Sequence, residues 1–195
     1  LAATGLRSIR YYKEIPGVRK VIVNDMDEKA VEAAKRNVAF NGFGLDDISP
    51  QQGDANLAML LSGKGGYDVI DLDPYGTAAP FIDAAVQSIA DGGLLCVTCT
   101  DMATLSGQQP ESCYAKYGSM PTRSKYLHEM ALRILLNTLE TCANRYKRHI
   151  VPVVSCGIDF YIRVFVRVYK KPAEVKHTVA RRAFVLQSAG CPSFY

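Results

Sequence analysis

The 195-residue sequence lacks several features that identify common classes of protein. No apolar run approaches the ~18 residues that a membrane span needs, so we expect no membrane partner. The formal net charge of +4 is mild, which permits a polyanionic partner without demanding one. Internal repeats and low-complexity segments are also absent. With 48% hydrophobic and 22% charged residues, the composition is that of an ordinary globular domain, which we expect to span residues 1–195.

Cysteine spacing gives little support to a metal site. Of six scattered cysteines, only Cys96 and Cys99 form a C-x-x-C pair, and they lie in an apolar segment that predicts a buried strand. Their odd separation places the two side chains on opposite faces of a sheet, where they cannot share a zinc ion. We therefore predict core cysteines, no metal ligands and a reducing, intracellular compartment.

The hydrophobic pattern alternates between strands and helices. Strands are predicted at 1–4, 18–24, 48–52, 67–73 and 94–99, and helices at 5–14, 27–41, 54–61, 79–90 and 121–146. Residues 101–120 have the composition of a loop, and a hairpin of strands at 149–156 and 160–169 closes the pattern. This order predicts a doubly wound α/β fold, with a mostly parallel sheet and a C-terminal antiparallel hairpin.

The turn after the first predicted strand has one glycine, Gly5, where a dinucleotide-binding fingerprint has three. This shortage disfavours a nicotinamide-dependent oxidoreductase. A cofactor that carries a carboxylate can instead be held by an arginine side chain in this turn, and Arg7 fits that role. The ordinary alternative is that Arg7 is a surface residue of the following helix.

Acidic residues follow the next two predicted strands. Asp25 lies 20 residues after Gly5, where an acid holds a ribose diol in doubly wound folds. Asp54 and Ala55 follow the third strand and could contact the amine and ring edge of an adenine. Asp25 could also be a turn acid, and Asp54 a helix cap. A ligand with a carboxylate, a ribose and an adenine but no phosphate is S-adenosyl-L-methionine, which we predict as the cofactor.

The segment Asp71-Leu72-Asp73-Pro74-Tyr75-Gly76 follows a short apolar strand. Asp73 can accept a proton from an amine, while Pro74 keeps the preceding residue extended and offers a carbonyl group. Tyr75 supplies a face for stacking a base. Asp71 lies deeper in the strand, where we expect an orienting or ion-paired role. The alternative is a strand that simply ends in a turn.

A mixture of aromatic and basic residues follows Cys113. Such interleaving suits phosphate contacts and base stacking, so we predict RNA contacts here. The predicted RNA-binding residues are Tyr114, Lys116, Tyr117, Arg123 and Lys125.

Several segments together resemble the tRNA (guanine-26, 2-amino) dimethyltransferase family, in its eukaryotic form. The segments that carry the resemblance are residues 1–10, 24–25, 71–76, 98–101, 123–134 and 160–166. The resemblance implies a Rossmann-like class I methyltransferase fold, S-adenosyl-L-methionine as methyl donor, and tRNA as partner. It also implies that Asp73 is the catalytic acid–base residue, that Tyr75 stacks on the base, and that Gly5, Arg7, Asp25, Asp54 and Ala55 contact the cofactor.

The resemblance further suggests a catalytic-domain fragment, with a truncated first strand and without the family's C-terminal RNA-binding domain. It places the protein in the nucleus, cytoplasm or mitochondrion, and nothing in the sequence indicates an obligate protein partner. Two alternatives stay open. One is a methyltransferase for another amine, although such enzymes favour a second proline after the acid, which is absent here. The other is a non-catalytic binding relative.

Overall fold

The computed structural model describes residues 1–191 and 193–195. By their internal contacts these residues form two units, Leu1–Leu61 and Ser62–Tyr195. The expectation of a single domain over residues 1–195 stays a prediction.

The N-terminal unit contains three helices and two strands. In chain order these are α1 (Leu6–Glu14), β1 (Val21–Asp25), α2 (Glu28–Phe40), β2 (Ile48–Gln52) and α3 (Ala55–Leu61). The two strands pair in parallel, with Asp25 opposite Gln52. The core contains Ile9, Val23, Ala34, Val38 and Ile48. Residues that recur every three to four positions therefore bury one face of α2, as the sequence predicted.

Asp27 is the N-cap of α2. The Asp27 side chain accepts a hydrogen bond from the Lys29 backbone N–H at 2.9 Å. This bond satisfies one of the donors that a helix leaves unpaired in its first turn. Asn41 follows the last helical residue and is the C-cap.

The predicted first strand, residues 1–4, is wrong. The Leu1 amino group and the Ala2 N–H both bond to the Asn24 carbonyl, but the chain then turns instead of extending. Ala3 has φ 46° and Gly5 has φ 73°, both in the left-handed region. Two such residues within three positions reverse the backbone too sharply for a strand.

The C-terminal unit is built around a four-stranded sheet. Its elements are β3 (Tyr67–Leu72), α4 (Ala79–Ser88), β4 (Ile89–Cys99), α5 (Met102–Leu105), α6 (Pro110–Tyr117), α7 (Leu127–Arg145), β5 (His149–Ile158), β6 (Tyr161–Tyr169), α8 (Pro172–Val175) and a 3₁₀ turn (Thr178–Arg181). The strand order is β3-β4-β6-β5. Strand β6 is antiparallel to both of its neighbours, so β3, β4 and β5 run in one direction. The mostly parallel sheet with an antiparallel hairpin is confirmed.

Burial follows position in the sheet. Every residue of β4 from Leu95 to Cys99 is buried, as expected for a strand covered on both faces. Strand β6 alternates instead, with the side chains at 162, 164, 166 and 168 fully buried and the others more exposed. Helix α7 packs against β5, β6 and α4.

Several boundaries differ from the sequence prediction. Residues 101–120 are not a loop, because they contain α5 and α6. These helices have only four and eight residues, so their sequences show no clear period, although Pro110 suits the first turn of a helix. Helix α7 begins at Leu127 instead of 121, β1 begins at Val21 instead of 18, and β4 begins at Ile89 instead of 94.

All six cysteines are free thiols in this structure. Cys96, Cys99, Cys113 and Cys142 are buried, as predicted, whereas Cys156 is half-buried and Cys191 is exposed. Burial raises the pKa of the Cys99 and Cys113 thiols to about 11, which keeps them protonated and unreactive. Within the described part of the chain, no helix is both long and apolar enough to cross a membrane.

Candidate active site

In the N-terminal unit, the carboxylate of Asp25 lies at the end of β1 and receives three hydrogen bonds. Its Oδ2 accepts from the Leu1 amino group and the Ala3 N–H, both at 2.9 Å, and its Oδ1 accepts from the Asp27 N–H at 3.0 Å. Burial opposes ionisation, but these bonds outweigh it and lower the pKa of Asp25 to about 2. The group is therefore an anion at neutral pH. Three of about four lone-pair positions are occupied, which leaves one on Oδ1 for a further donor.

Gly5 begins α1 at a point where the backbone comes close to α2. A Cβ atom at this position would lie 3.2 Å from the Ala34 Cβ, and the φ of 73° is in the left-handed region. Glycine meets both requirements without strain. Arg7 follows in the first turn of α1 and is exposed.

Asp54 and Ala55 lie where β2 passes into α3. The Asp54 Oδ1 accepts a hydrogen bond from the Leu57 N–H at 2.9 Å, so the carboxylate caps the helix. Ala55 is the first residue of α3 and is half-buried. The cap was one of the two interpretations that the sequence left open for Asp54.

Two asparagines in this unit have buried oxygens that sequence reasoning did not single out. The Asn24 Nδ2 donates to the Gly53 carbonyl at 2.9 Å, and the Gly53 N–H donates to the Asp25 carbonyl at the same distance. The Oδ1 atoms of Asn24 and Asn56 are buried and have no hydrogen-bond partner among the described residues. Such acceptors are costly unless a donor reaches them. The only signal in the sequence was their position beside Asp25 and Asp54.

In the C-terminal unit, Asp71 is ion-paired, as the sequence suggested. The Arg163 Nη2 donates to the Asp71 Oδ1 at 2.8 Å, and both side chains are about 15% exposed. The second guanidinium nitrogen, Nη1, donates to the Thr98 hydroxyl, and the guanidinium lies 5.0 Å from the centre of the Phe165 ring. Through these two hydrogen bonds Arg163 on β6 joins Thr98 on β4 and Asp71 on β3, so that its guanidinium connects three strands. It anchors the strand immediately before Asp73.

The loop at the end of β3 alternates between buried and exposed residues. Asp73 is half-buried and Pro74 is buried, whereas the Tyr75 side chain is fully exposed. Gly76 has φ 78° and turns the chain toward α4. The Gly76 N–H donates to the Thr100 hydroxyl at 2.7 Å, and the Thr100 N–H donates back to the Gly76 carbonyl at 2.8 Å. An acid and an exposed aromatic ring are thus presented together at the carboxyl end of a parallel strand.

The predicted RNA-binding residues lie in two places. Tyr114 and Lys116 are exposed on α6, where Lys116 Nζ lies 3.3 Å from the Asp101 carboxylate. Tyr117 is on the same helix but is 3% exposed, so its side chain packs inside the unit. Residues 110–117 form helix α6 instead of the predicted loop. Because successive residues of a helix point in different directions, Tyr117 is buried while Tyr114 and Lys116 are exposed.

The other two predicted RNA-binding residues, Arg123 and Lys125, are exposed in the segment that precedes α7. The Arg123 Nε donates to the Gly107 carbonyl at 3.2 Å. Arg123 also lines an open pocket of about 280 Å³. The other residues around this pocket are Ser106, Gln108, Ser124 and Leu127.

Comparison with known families gives a match along nearly the whole chain. The family described as N2,N2-dimethylguanosine tRNA methyltransferase matches residues 1–194. The chain belongs to this family. The resemblance inferred from the sequence motifs is therefore confirmed.

Individual relatives agree with this assignment. The mouse tRNA (guanine(26)-N(2))-dimethyltransferase is 54% identical over 197 residues, and the mitochondrial enzyme of that name from Saccharomyces cerevisiae is 47% identical over 199 residues. Both alignments cover the whole of this chain. The chain spans 30% and 35% of the two relatives, or about a third of their length.

A solved structure supports the fold. Trm1 from Pyrococcus horikoshii, determined as a complex with S-adenosyl-L-methionine, matches all of this chain with a TM-score of 0.94 at 32% identity. The match covers 56% of the Pyrococcus chain. The protein therefore has the Rossmann-like fold of class I methyltransferases, as the sequence predicted.

Proposed function

We propose that this chain is part of an S-adenosyl-L-methionine-dependent tRNA methyltransferase that adds one and then a second methyl group to the 2-amino group of guanosine 26. The proposal is carried by the Asp73-Pro74-Tyr75 segment, which lies at the end of β3 in a member of the dimethylguanosine family. The relatives are named for this reaction, and the Pyrococcus protein binds the proposed donor.

The residues of the N-terminal unit fit the proposed cofactor. Arg7 offers a cation for the carboxylate of the methionine moiety, and Asp25 retains an acceptor position for a ribose hydroxyl. The buried Oδ1 atoms of Asn24 and Asn56, which have no hydrogen-bond partner in the described part of the chain, can accept from hydroxyl or amine groups of a ligand. Gly5, which has no side chain, lies two residues before Arg7, and Ala55 precedes Asn56 with only a methyl group as its side chain. Asp54 caps α3 through Oδ1, and we propose that its second oxygen contacts the adenine amine.

The C-terminal unit supplies the groups that act on guanine. When bound, S-adenosyl-L-methionine supplies an electrophilic methyl group on a sulfonium. The 2-amino group of guanine is a poor nucleophile, because its lone pair is delocalised into the ring. The Asp73 carboxylate and the Pro74 carbonyl would accept its two hydrogens and restore electron density to the nitrogen. Asp73 would then take the proton that the amine loses as the new N–C bond forms and the bond between the methyl carbon and sulfur breaks, leaving its electron pair on sulfur.

Tyr75 would hold the base during this reaction. A guanosine in folded tRNA must leave its stack to be methylated, and an aromatic side chain can replace the lost stacking. The complete exposure of Tyr75 makes its ring face available. Tyr114, Lys116, Arg123 and Lys125 would contact the tRNA around this point, whereas the buried Tyr117 is better suited to a role inside the protein. One relative is named as mitochondrial, and the compartment of this protein stays a prediction.

The proposal is tested with the full-length protein, tRNA lacking the modification and a methyl donor carrying an isotope label. Mass spectrometry of the digested nucleosides should detect labelled N2-methylguanosine first and N2,N2-dimethylguanosine later. Label on adenosine or on protein would point to a methyltransferase for another amine. Binding of tRNA without any labelled product would indicate a non-catalytic relative.

A further inference from the structure

The Tyr75 ring is fully exposed, so the backbone of its loop must determine where the ring points. On one side of Tyr75, Pro74 is buried in the unit. On the other side, Gly76 and Thr100 exchange hydrogen bonds of 2.7 and 2.8 Å. Gly76 and Thr100 are 24 residues apart, and the two bonds join the end of β3 to the end of β4.

A second attachment follows at Thr77. Its hydroxyl lies 2.6 Å from the hydroxyl of Tyr117, which in turn lies 2.8 Å from the Asp101 carboxylate. The Asp101 carboxylate can only accept, so Tyr117 donates to Asp101 and Thr77 must donate to Tyr117. The Ala79 N–H completes the chain by donating to the Thr77 hydroxyl at 3.2 Å. All four groups are thus arranged in one direction, an arrangement in which each hydrogen bond strengthens the next.

The surroundings of Tyr117 fix its position and keep its hydroxyl protonated. The residue is 3% exposed at the end of α6, and its carbonyl accepts from the Thr138 hydroxyl of α7 at 2.9 Å. Burial raises the pKa of Tyr117 far above its usual range, so the hydroxyl remains a donor at any physiological pH. Lys116 lies 3.3 Å from the other Asp101 oxygen and balances the charge of the acceptor.

We propose that Thr100 and Tyr117 are positioning residues, which hold the loop of residues 73–77 so that Asp73 and Tyr75 meet the target base in a fixed geometry. This inference rests on the proposed function, because it assigns those two residues their roles. Neither positioning residue needs to touch the substrate. Each acts on the loop backbone, Thr100 through Gly76 and Tyr117 through Thr77.

The kinetic test compares single-atom changes in the full-length protein. Tyr117→Phe removes the hydroxyl and keeps the ring, and Thr100→Val removes the hydroxyl and keeps the shape. We expect each to lower kcat roughly tenfold, because small misplacements of reacting groups carry penalties of this order or more. The KM for S-adenosyl-L-methionine should stay within about twofold, since the proposed cofactor residues lie in the N-terminal unit. Thr100→Ser retains the hydroxyl and should restore kcat.

A matched control is available in the same unit. The Tyr146 hydroxyl also donates to a carboxylate, that of Asp83, at 2.9 and 3.0 Å. Tyr146→Phe therefore removes the same kind of hydrogen bond away from the loop, and kcat should be unchanged. If this variant and Tyr117→Phe lost activity equally, or if neither lost any, the assignment to Tyr117 would be overturned.

Amide hydrogen exchange tests the same inference without measuring activity. In Tyr117→Phe and Thr100→Val, the amides of Gly76, Ala79 and residue 100 should exchange several-fold faster, while those of the core strand β6 keep their protection. Faster exchange throughout the unit would mean that the hydroxyls only stabilise the fold, and unchanged exchange would mean that they do not hold the loop. A wild-type protein that forms no labelled methylguanosine would refute the proposed function, whereas the exchange result would still decide whether the loop is held.

Discussion

The two units of this protein position their candidate residues in different ways. In the N-terminal unit, Asp25 and Asp54 accept hydrogen bonds mainly from backbone N–H groups, those of Ala3, Asp27 and Leu57. In the C-terminal unit, Asp71 and the loop after it are held by side chains from distant segments. Arg163 is 92 residues from Asp71, and Tyr117 is 40 residues from Thr77.

The two kinds of contact differ in what they indicate about function. An acid that caps a helix or closes a turn contributes to local structure whether or not a ligand binds, so its presence alone says little about function. The loop after β3 instead depends on a largely buried ion pair, Asp71–Arg163, and on hydrogen bonds through Tyr117. Burying such polar groups costs free energy unless all of them are paired. The C-terminal unit is therefore where we expect substitutions to affect the reaction most strongly.

The largest effect is expected at Asp73. In the full-length protein, Asp73→Ala should lower methyl transfer by roughly 10²- to 10⁴-fold, the range for loss of a general base, while binding of S-adenosyl-L-methionine survives. Rates are measured with labelled donor and binding by calorimetry. Asp68→Ala, which changes an exposed acid on β3, serves as the control. Transfer at the parental rate in Asp73→Ala would refute the catalytic assignment.

The next effect concerns the ion pair. Arg163→Ala leaves the Asp71 carboxylate largely buried without its cation, so we expect the free energy of unfolding to fall by about 3 kcal/mol. Arg133→Ala breaks the exposed pair with Glu129, at 71% and 63% exposure, and should cost less than about 0.5 kcal/mol. Urea unfolding measures both. Equal losses of unfolding free energy in the two variants would show that the Asp71–Arg163 pair stabilises the protein no more than an exposed pair does.

A smaller effect is expected in the N-terminal unit at Asp25. Asp25→Ala should weaken S-adenosyl-L-methionine binding at least tenfold, or about 1.4 kcal/mol, because the acceptor for the ribose is lost. Asp46→Ala, an exposed acid of the same unit, should bind normally. If calorimetry found the same affinity for S-adenosyl-L-methionine in Asp25→Ala, Asp25 would not be a cofactor residue. Its role would then be to form the turn through its hydrogen bonds to backbone N–H groups.

The smallest effect is expected at Asp54 and concerns its cap. Asp54→Ala should lower the free energy of unfolding by about 1 kcal/mol, and Asp54→Asn by only a few tenths, because asparagine also accepts at an N-cap. Thermal or urea unfolding of the two variants measures the difference. Equal stability of the alanine and asparagine variants would contradict the cap that the structure gives Asp54.

Sequence reasoning was most successful where the signal was local. The bounds of β2 were predicted as observed, and the ends of β6 were displaced by at most one residue. Asp71 was expected to be ion-paired, but its partner Arg163 was not identified. Tyr117 was assigned to an RNA-binding loop because α6 lacks a clear hydrophobic period, and without the helix its buried face could not be recognised.

The amino-acid sequence by itself determined the alternation of strands and helices and the family, and it supplied the residues that we propose for methyl transfer. These signals depend on neighbours a few positions away, such as caps, turn residues and apolar spacing. Only the tertiary structure decided that Tyr75 is exposed while Tyr117 is buried, and which groups pair with Asp71, Asp25 and Thr77. The partner of a polar group depends on which segments meet in the folded sheet, and distance along the chain carries no information about that.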